Sequence, residues 1–227
     1  MRLRVGSNNC GKVMMTYDEI KIGVNDKASY LMSQYPGPFT KIIRNSISKT
    51  YSLPEYESAC VISDNIGDND NVIVLASWFS LTLLEVLSIS GKIKNITMLD
   101  HDRSVITIGQ TIKQLYSNIN VTYERKNVVF DDIMRYTNNS NIIIVPSINM
   151  LLPFDELLPN LPKGTLVSVS GTSNMKMRYG NPIYNADDLR SQITCSDVFF
   201  AKQYNSVWGV NNQDTFKFIT SVVVARI

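Results

Sequence analysis

The sequence is poor in the side chains that build metal sites and covalent frameworks. In 227 residues there is one histidine, His101, and there are three scattered cysteines, Cys10, Cys60 and Cys195. That excludes a zinc site of clustered Cys and His, a disulfide framework, and chemistry that relies on several histidines. An excess of charge is also missing. Lys and Arg number 22 against 20 Asp and Glu, a net charge of +2, and only 19% of residues are charged. This argues against a highly charged disordered chain and against a strongly basic nucleic-acid coat, so a nucleic-acid partner is not favoured. The N-terminus, Met1-Arg2-Leu3-Arg4, is basic but has no apolar run behind it, unlike a secretory leader. One stretch, Val72 to Ser90, has the length of a bilayer span and a single charge, Glu85. It divides, however, into a β-branched run (Val72-Ile73-Val74-Leu75), a small break (Ala76-Ser77) and a helical pattern ending at Gly91, with no interfacial flanks. The expectation is a soluble cytoplasmic protein with no membrane partner.

What is present is a substantial apolar complement, 44% of residues, enough for one large core. Residues 1–70 are the more polar part. They carry turn signals at Tyr35-Pro36-Gly37-Pro38 and Leu53-Pro54, helix candidates over Lys27–Gln34 and Phe39–Thr50, and a linker-like run from Ser63 to Asp70. From Asn71 the pattern alternates. Strands are expected at Val72–Leu75, Asn95–Leu99, Asn120–Glu124, Asn141–Val145 and Thr165–Ser170. Helices are expected at Phe79–Ser90, Arg103–Tyr116, near Phe130–Tyr136 and at Leu151–Leu158. Two last strands, Val198–Gln203 and Phe216–Ala225, have no helix between them and predict an antiparallel pair at one edge. The fold class is therefore α/β, a doubly wound and mostly parallel sheet.

In such a sheet, ligands sit outside the carboxyl ends of the strands, where the winding reverses. The candidate site residues are those at these ends. The first turn is Leu75-Ala76-Ser77-Trp78-Phe79-Ser80, and the second strand runs into Asp100-His101-Asp102. The third leads to Lys126-Asn127-Val128-Val129-Phe130-Asp131-Asp132, and the fourth to Val145-Pro146-Ser147-Ile148-Asn149-Met150. Asp102 fits the N-cap of the following helix, and both acids there favour its positive end.

The order of elements over residues 70–227, with its closing antiparallel hairpin, resembles the class I (Rossmann-like) S-adenosylmethionine-dependent methyltransferases. The likeness lies in pattern and topology, with weak motifs. It implies a seven-stranded sheet domain over 71–227, with residues 1–70 as a small helical cap on the substrate side. It also implies S-adenosylmethionine as cofactor, held by Ala76, Ser77 and Trp78 in the first turn, by Asp100 at the ribose and by His101 beside the pocket. Asn127 and Val128 would lie at the adenine, with Asp131 or Asp132 as alternatives to Asn127, and Pro146 and Ser147 near the transferred methyl group. The family's first turn is glycine-rich, whereas this one has no glycine, and Trp78 and Phe79 either line the pocket or fill it. The Asp/Asn-Pro-Pro-aromatic tetrad of nucleic-acid amino-methylases is absent.

The implied activity is methyl transfer to an acceptor, a small molecule being favoured. Two alternatives remain: a non-catalytic binding protein of the same fold, or transfer of the cofactor's aminocarboxypropyl group, as in nicotianamine-synthase-like proteins. Tyr17, Tyr30, Tyr35, Tyr51 and Tyr56 are candidates for shaping the acceptor pocket. The loop Gly171–Asn185, with Lys176 and Arg178, is a candidate for meeting an anionic acceptor.

Overall fold

A computed structural model of the chain describes residues 15–68, 70–127, 136, 139–146, 158–173, 183–209 and 215–227. Three helices precede the sheet: α1 (Tyr17–Gln34), α2 (Pro38–Ser46) and α3 (Lys49–Asp64). Helix α1 begins ten residues before the expected Lys27 because Thr16 and Glu19 form a reciprocal capping box. The Thr16 hydroxyl accepts from the Glu19 amide, and the Glu19 carboxylate accepts from the Thr16 amide at 2.6 Å. Its buried stripe is Ile20, Val24, Ala28 and Leu31. Helix α3 runs straight through Leu53-Pro54, where a turn was expected. Proline removes one intrahelical hydrogen bond, and the burial of Ser52, Pro54, Ser58, Ala59 and Ile62 offsets that loss.

The strands are β1 (Asn71–Leu75), β2 (Asn95–Asp100), β3 (Asn120–Arg125), β4 (Ile142–Val145), β5 (Leu166–Thr172), β6 (Asp197–Gly209) and β7 (Thr215–Arg226). Between them lie α4 (Leu81–Ser90), α5 (Arg103–Gln114), a 3-10 turn at Leu158–Asn160 and a short helix, α6 (Ala186–Ser191), that the sequence pattern did not suggest. The seven strands form one sheet in the order β3-β2-β1-β4-β5-β7-β6. β1 to β5 pair in parallel, and β7 runs antiparallel between β5 and β6. The expected seven-stranded sheet with a C-terminal antiparallel hairpin is thus the observed one. The hairpin is longer than expected, since β6 extends through Gly209. The helices expected near Phe130–Tyr136 and over Leu151–Leu158 fall, except for Tyr136 and Leu158, outside the described residues.

β1 and β4 read as unbroken apolar runs because both faces of the sheet are covered there. Val72 and Val74 join the core beneath α1 to α5, while Ile73 and Leu75 join a second core with Ile143, Val145, Val167, Leu189 and Val223. The helices before β1 belong to the first of these cores, through Ile20, Val24, Leu31, Ile43 and Ile62. Glu85, the one charge in the apolar stretch, explains itself here: it lies 2.8 Å from Lys27 of α1. Gly23 leaves it room, for a Cβ at that position would collide with the Glu85 carboxylate. Among the described residues, no helix is long and apolar enough to cross a membrane.

Candidate functional site

The sheet reverses its winding at β1, which pairs with β2 on one side and β4 on the other. The turn leaving β1 therefore stands at the crevice where ligands of open α/β sheets bind. Its backbone is unusual. Ala76, Trp78 and Ser80 have φ of 52°, 47° and 40°, so every second residue is left-handed although none is glycine. Each such residue costs about 1–2 kcal/mol, and the conformation persists only where the surroundings impose it.

Those surroundings come mostly from β2. The Ser77 amide donates to the Leu99 carbonyl at 2.9 Å, and the Trp78 amide donates to Asp100 Oδ2 at 2.8 Å. The Ser80 hydroxyl donates back to the Ser77 carbonyl at 2.7 Å. Asp100, 6% exposed, uses its other oxygen, Oδ1, to accept from the Asp102 amide at 2.9 Å. One carboxylate thus fastens the first and second turns together. Asp102 caps α5 as expected, accepting from the Ser104 amide at 2.7 Å. The second and third turns are joined as well, since the Lys126 amide donates to the Asp100 carbonyl and Arg125 Nε to the His101 carbonyl.

Of the residues expected at a cofactor site, the structure brings Ala76, Ser77, Trp78, Asp100 and His101 into this one cluster. Ser77 is fully buried, with its hydroxyl turned to the Trp78 carbonyl. The His101 ring is mostly exposed, with Nδ1 3.7 Å from Asp100 Oδ1. Asn127 and Pro146 are half-buried at the ends of β3 and β4. Val128 and Ser147 lie outside the described residues, as do Asp131, Asp132, Lys176 and Arg178.

Aromatic rings stand over the turn. Trp78 stacks against the buried Phe79, with centroids 6.0 Å apart, and meets the edge of Tyr51 from α3 at 5.6 Å. Tyr17 and Tyr56 pack together at 5.4 Å, Tyr17 bonds Ser52 and Tyr56 bonds the Met15 carbonyl. Tyr35 bonds Thr111 on α5, and Tyr30 is exposed. Among the five tyrosines, Tyr51 is thus the one that touches the first turn.

Sequence reasoning missed Glu55, one helical turn beyond Tyr51. Its carboxyl group faces the backbone amides of Thr82 and Leu83 and the Ser80 hydroxyl, at the N-terminus of α4. Burial pushes its pKa up to about 7, although those donors pull the other way. Nothing in the string Leu53-Pro54-Glu55 marked it, because the contact depends on how α3 packs on α4. Further along α3, Glu57 is held by β6: Lys202 Nζ reaches both of its oxygens, at 2.8 and 2.7 Å, and the Tyr204 hydroxyl donates to one at 2.7 Å.

No family model and no curated protein matches the sequence. Solved structures do match in shape. Coclaurine N-methyltransferase, solved with N-methylheliamine and S-adenosylhomocysteine, superposes with a TM-score of 0.59 at 11% identity, over 95% of this chain and 89% of its own. The CurJ carbon methyltransferase gives 0.53 at 10% identity, over 88% of this chain and 70% of its own. EvdMO1 gives 0.51 at 12% identity over 76% of this chain, which spans only 40% of that longer protein. These likenesses establish the fold, the Rossmann-like α/β fold of class I S-adenosylmethionine-dependent methyltransferases, in a chain of highly divergent sequence.

Proposed function

We propose that the protein is an S-adenosylmethionine-dependent methyltransferase acting on a small-molecule acceptor, with the cofactor lying across the carboxyl ends of β1, β2 and β3. The observation that supports this most strongly is the first turn. Ala76, Trp78 and Ser80 adopt the left-handed backbone that glycine ordinarily supplies, and Asp100 accepts from the Trp78 amide at the strand switch point. Each Asp100 oxygen accepts one backbone N–H and keeps acceptor capacity, so the carboxylate can take both ribose hydroxyls as charge-assisted hydrogen bonds. Asn127 stands just beyond β3, on the side proposed for the adenine, Pro146 borders the methyl end, and Tyr51 with Trp78 forms an aromatic wall. Helices α1 to α3 supply the substrate side.

Bound cofactor would bring an activated methyl group that needs no metal. What the chain contributes is orientation and exclusion of water, which carry much of the acceleration in such transfers. Titration calorimetry with S-adenosylmethionine tests the reading, together with identification of the product. S-adenosylhomocysteine with a methylated acceptor supports methyl transfer. Methylthioadenosine would instead mark aminocarboxypropyl transfer.

One observation favours a second reading, a non-catalytic binding protein of this fold. The middle left-handed position carries the indole of Trp78, where glycine leaves open space for a ligand. Absence of binding by the folded protein would decide for that reading.

A further inference from the structure

The face of the sheet turned away from α1 to α5 holds a cavity of about 530 Å³, an ordinary volume for a small-molecule site. Strand alternation builds its floor. Asn71 and Ile73 of β1, Asn95 and Thr97 of β2, and Glu124 of β3 line it, on the side where Ile73, Leu75 and Leu99 form the second core. Tyr136, Asn139 and Ser140 make one wall. That wall is tied to itself, since the Asn139 amide and the Ser140 hydroxyl both donate to the Tyr136 carbonyl, at 3.2 and 2.8 Å. The floor is tied as well. The Asn95 side chain donates to Asn71 Oδ1 at 3.2 Å, which fixes both carboxamides and leaves each with spare hydrogen-bonding capacity.

Two groups in this cavity lack the partners their chemistry calls for. The Thr97 hydroxyl is half-buried and makes no hydrogen bond among the described residues. Glu124, also half-buried, accepts from the Tyr136 hydroxyl at 2.6 Å through Oε2, yet among the described residues it forms no ion pair. Arg125, next along β3, is spent on the His101 carbonyl. A carboxylate partly withdrawn from water gains most from a cation that also donates hydrogen bonds. We propose that the cavity is a second small-molecule site, for an organic amine, whose ammonium group meets Glu124 while Thr97 and the two asparagines take the polar groups behind it. An anion is disfavoured, because the charge lining the cavity is negative and no cation lines it among the described residues. The site shares no residue with the first turn or with its fastening by Asp100, so it goes beyond the methyltransferase reading and stands independently of it.

Probes of equal length and different charge test this: the diamine putrescine, the corresponding butanediol, and succinate. Each is titrated calorimetrically, at neutral pH and low salt, into the full-length protein, Glu124→Gln and Thr97→Val. The diamine is expected to bind saturably at one site, with the diol about tenfold weaker or more and succinate not binding. Glu124→Gln keeps an acceptor for the Tyr136 hydroxyl and loses the charge, so it should weaken the diamine about tenfold or more. Thr97→Val removes the hydroxyl at nearly constant volume and should weaken it about threefold; it carries the test alone if the glutamine variant does not fold. A diamine that fails to bind saturably, that binds no better than the diol, or that the folded variants hold as tightly as the parent protein overturns the site. Neither variant touches the first turn. Failure of S-adenosylmethionine to bind the parent protein would therefore overturn the cofactor reading and leave the amine site standing.

Discussion

Glu55 makes a quantitative demand on stability. Its folded pKa lies near 7, against an ordinary value of 4.5. Between those two values the folded protein keeps a proton that the unfolded chain has released, so stability must fall as pH rises through this window. The gap corresponds to about 3 kcal/mol once pH exceeds the folded value, or roughly 6–12 °C in Tm for a chain of this size. Replacing Glu55 by Gln isolates the effect, since glutamine matches the protonated acid in shape and cannot ionise. Urea unfolding of both proteins at pH 5, 6, 7 and 8 provides the measurement. The two should be nearly equal at pH 5, and Glu55→Gln should lead by about 3 kcal/mol at pH 8. A difference between the proteins that stays constant from pH 5 to 8 would refute the claim that burial holds a proton on this carboxyl group.

Other perturbations follow from the packing. Gly109→Ala places a Cβ against the Tyr123 ring in the core between α5 and β3; it should destabilise by about 1–3 kcal/mol, read by denaturant unfolding. Ala76→Gly relieves a left-handed alanine at the turn and should be neutral or stabilising by up to about 1 kcal/mol, whereas the same change at an ordinary strand end would destabilise. Asp102→Ala removes the cap of α5 and should cost about 1 kcal/mol.

The sheet was legible because burial on both faces writes itself into composition. Ile142–Val145 and Val72–Leu75 admit no helical stripe, and the Gly91 stop, with φ of 68°, appears as such. The helices before β1 were less legible. In α1 the apolar stripe is diluted by Asp18, Lys21, Asp26 and Lys27, and its start depends on a capping box. In α3 the proline that signals a turn lies inside the helix. Asp100 stood out at a strand end, but its bond to the Trp78 amide and the backbone it enforces did not. Alanine, tryptophan and serine have no left-handed preference, so tertiary hydrogen bonds impose that geometry where glycine would have announced it. Glu55 was silent for a similar reason. A glutamate on a helix is ordinary until another helix presents its N-terminus to it.

The central claim is that a glycine-free turn fastened by Asp100 still binds a nucleoside cofactor. Titration calorimetry of the full-length protein with S-adenosylmethionine tests it most directly, with Asp100→Asn as the paired variant. The account predicts saturable binding at one site, weakened about tenfold or more by the loss of a charge-assisted acceptor. No saturable binding by the folded protein, or binding that Asp100→Asn leaves untouched, would contradict it.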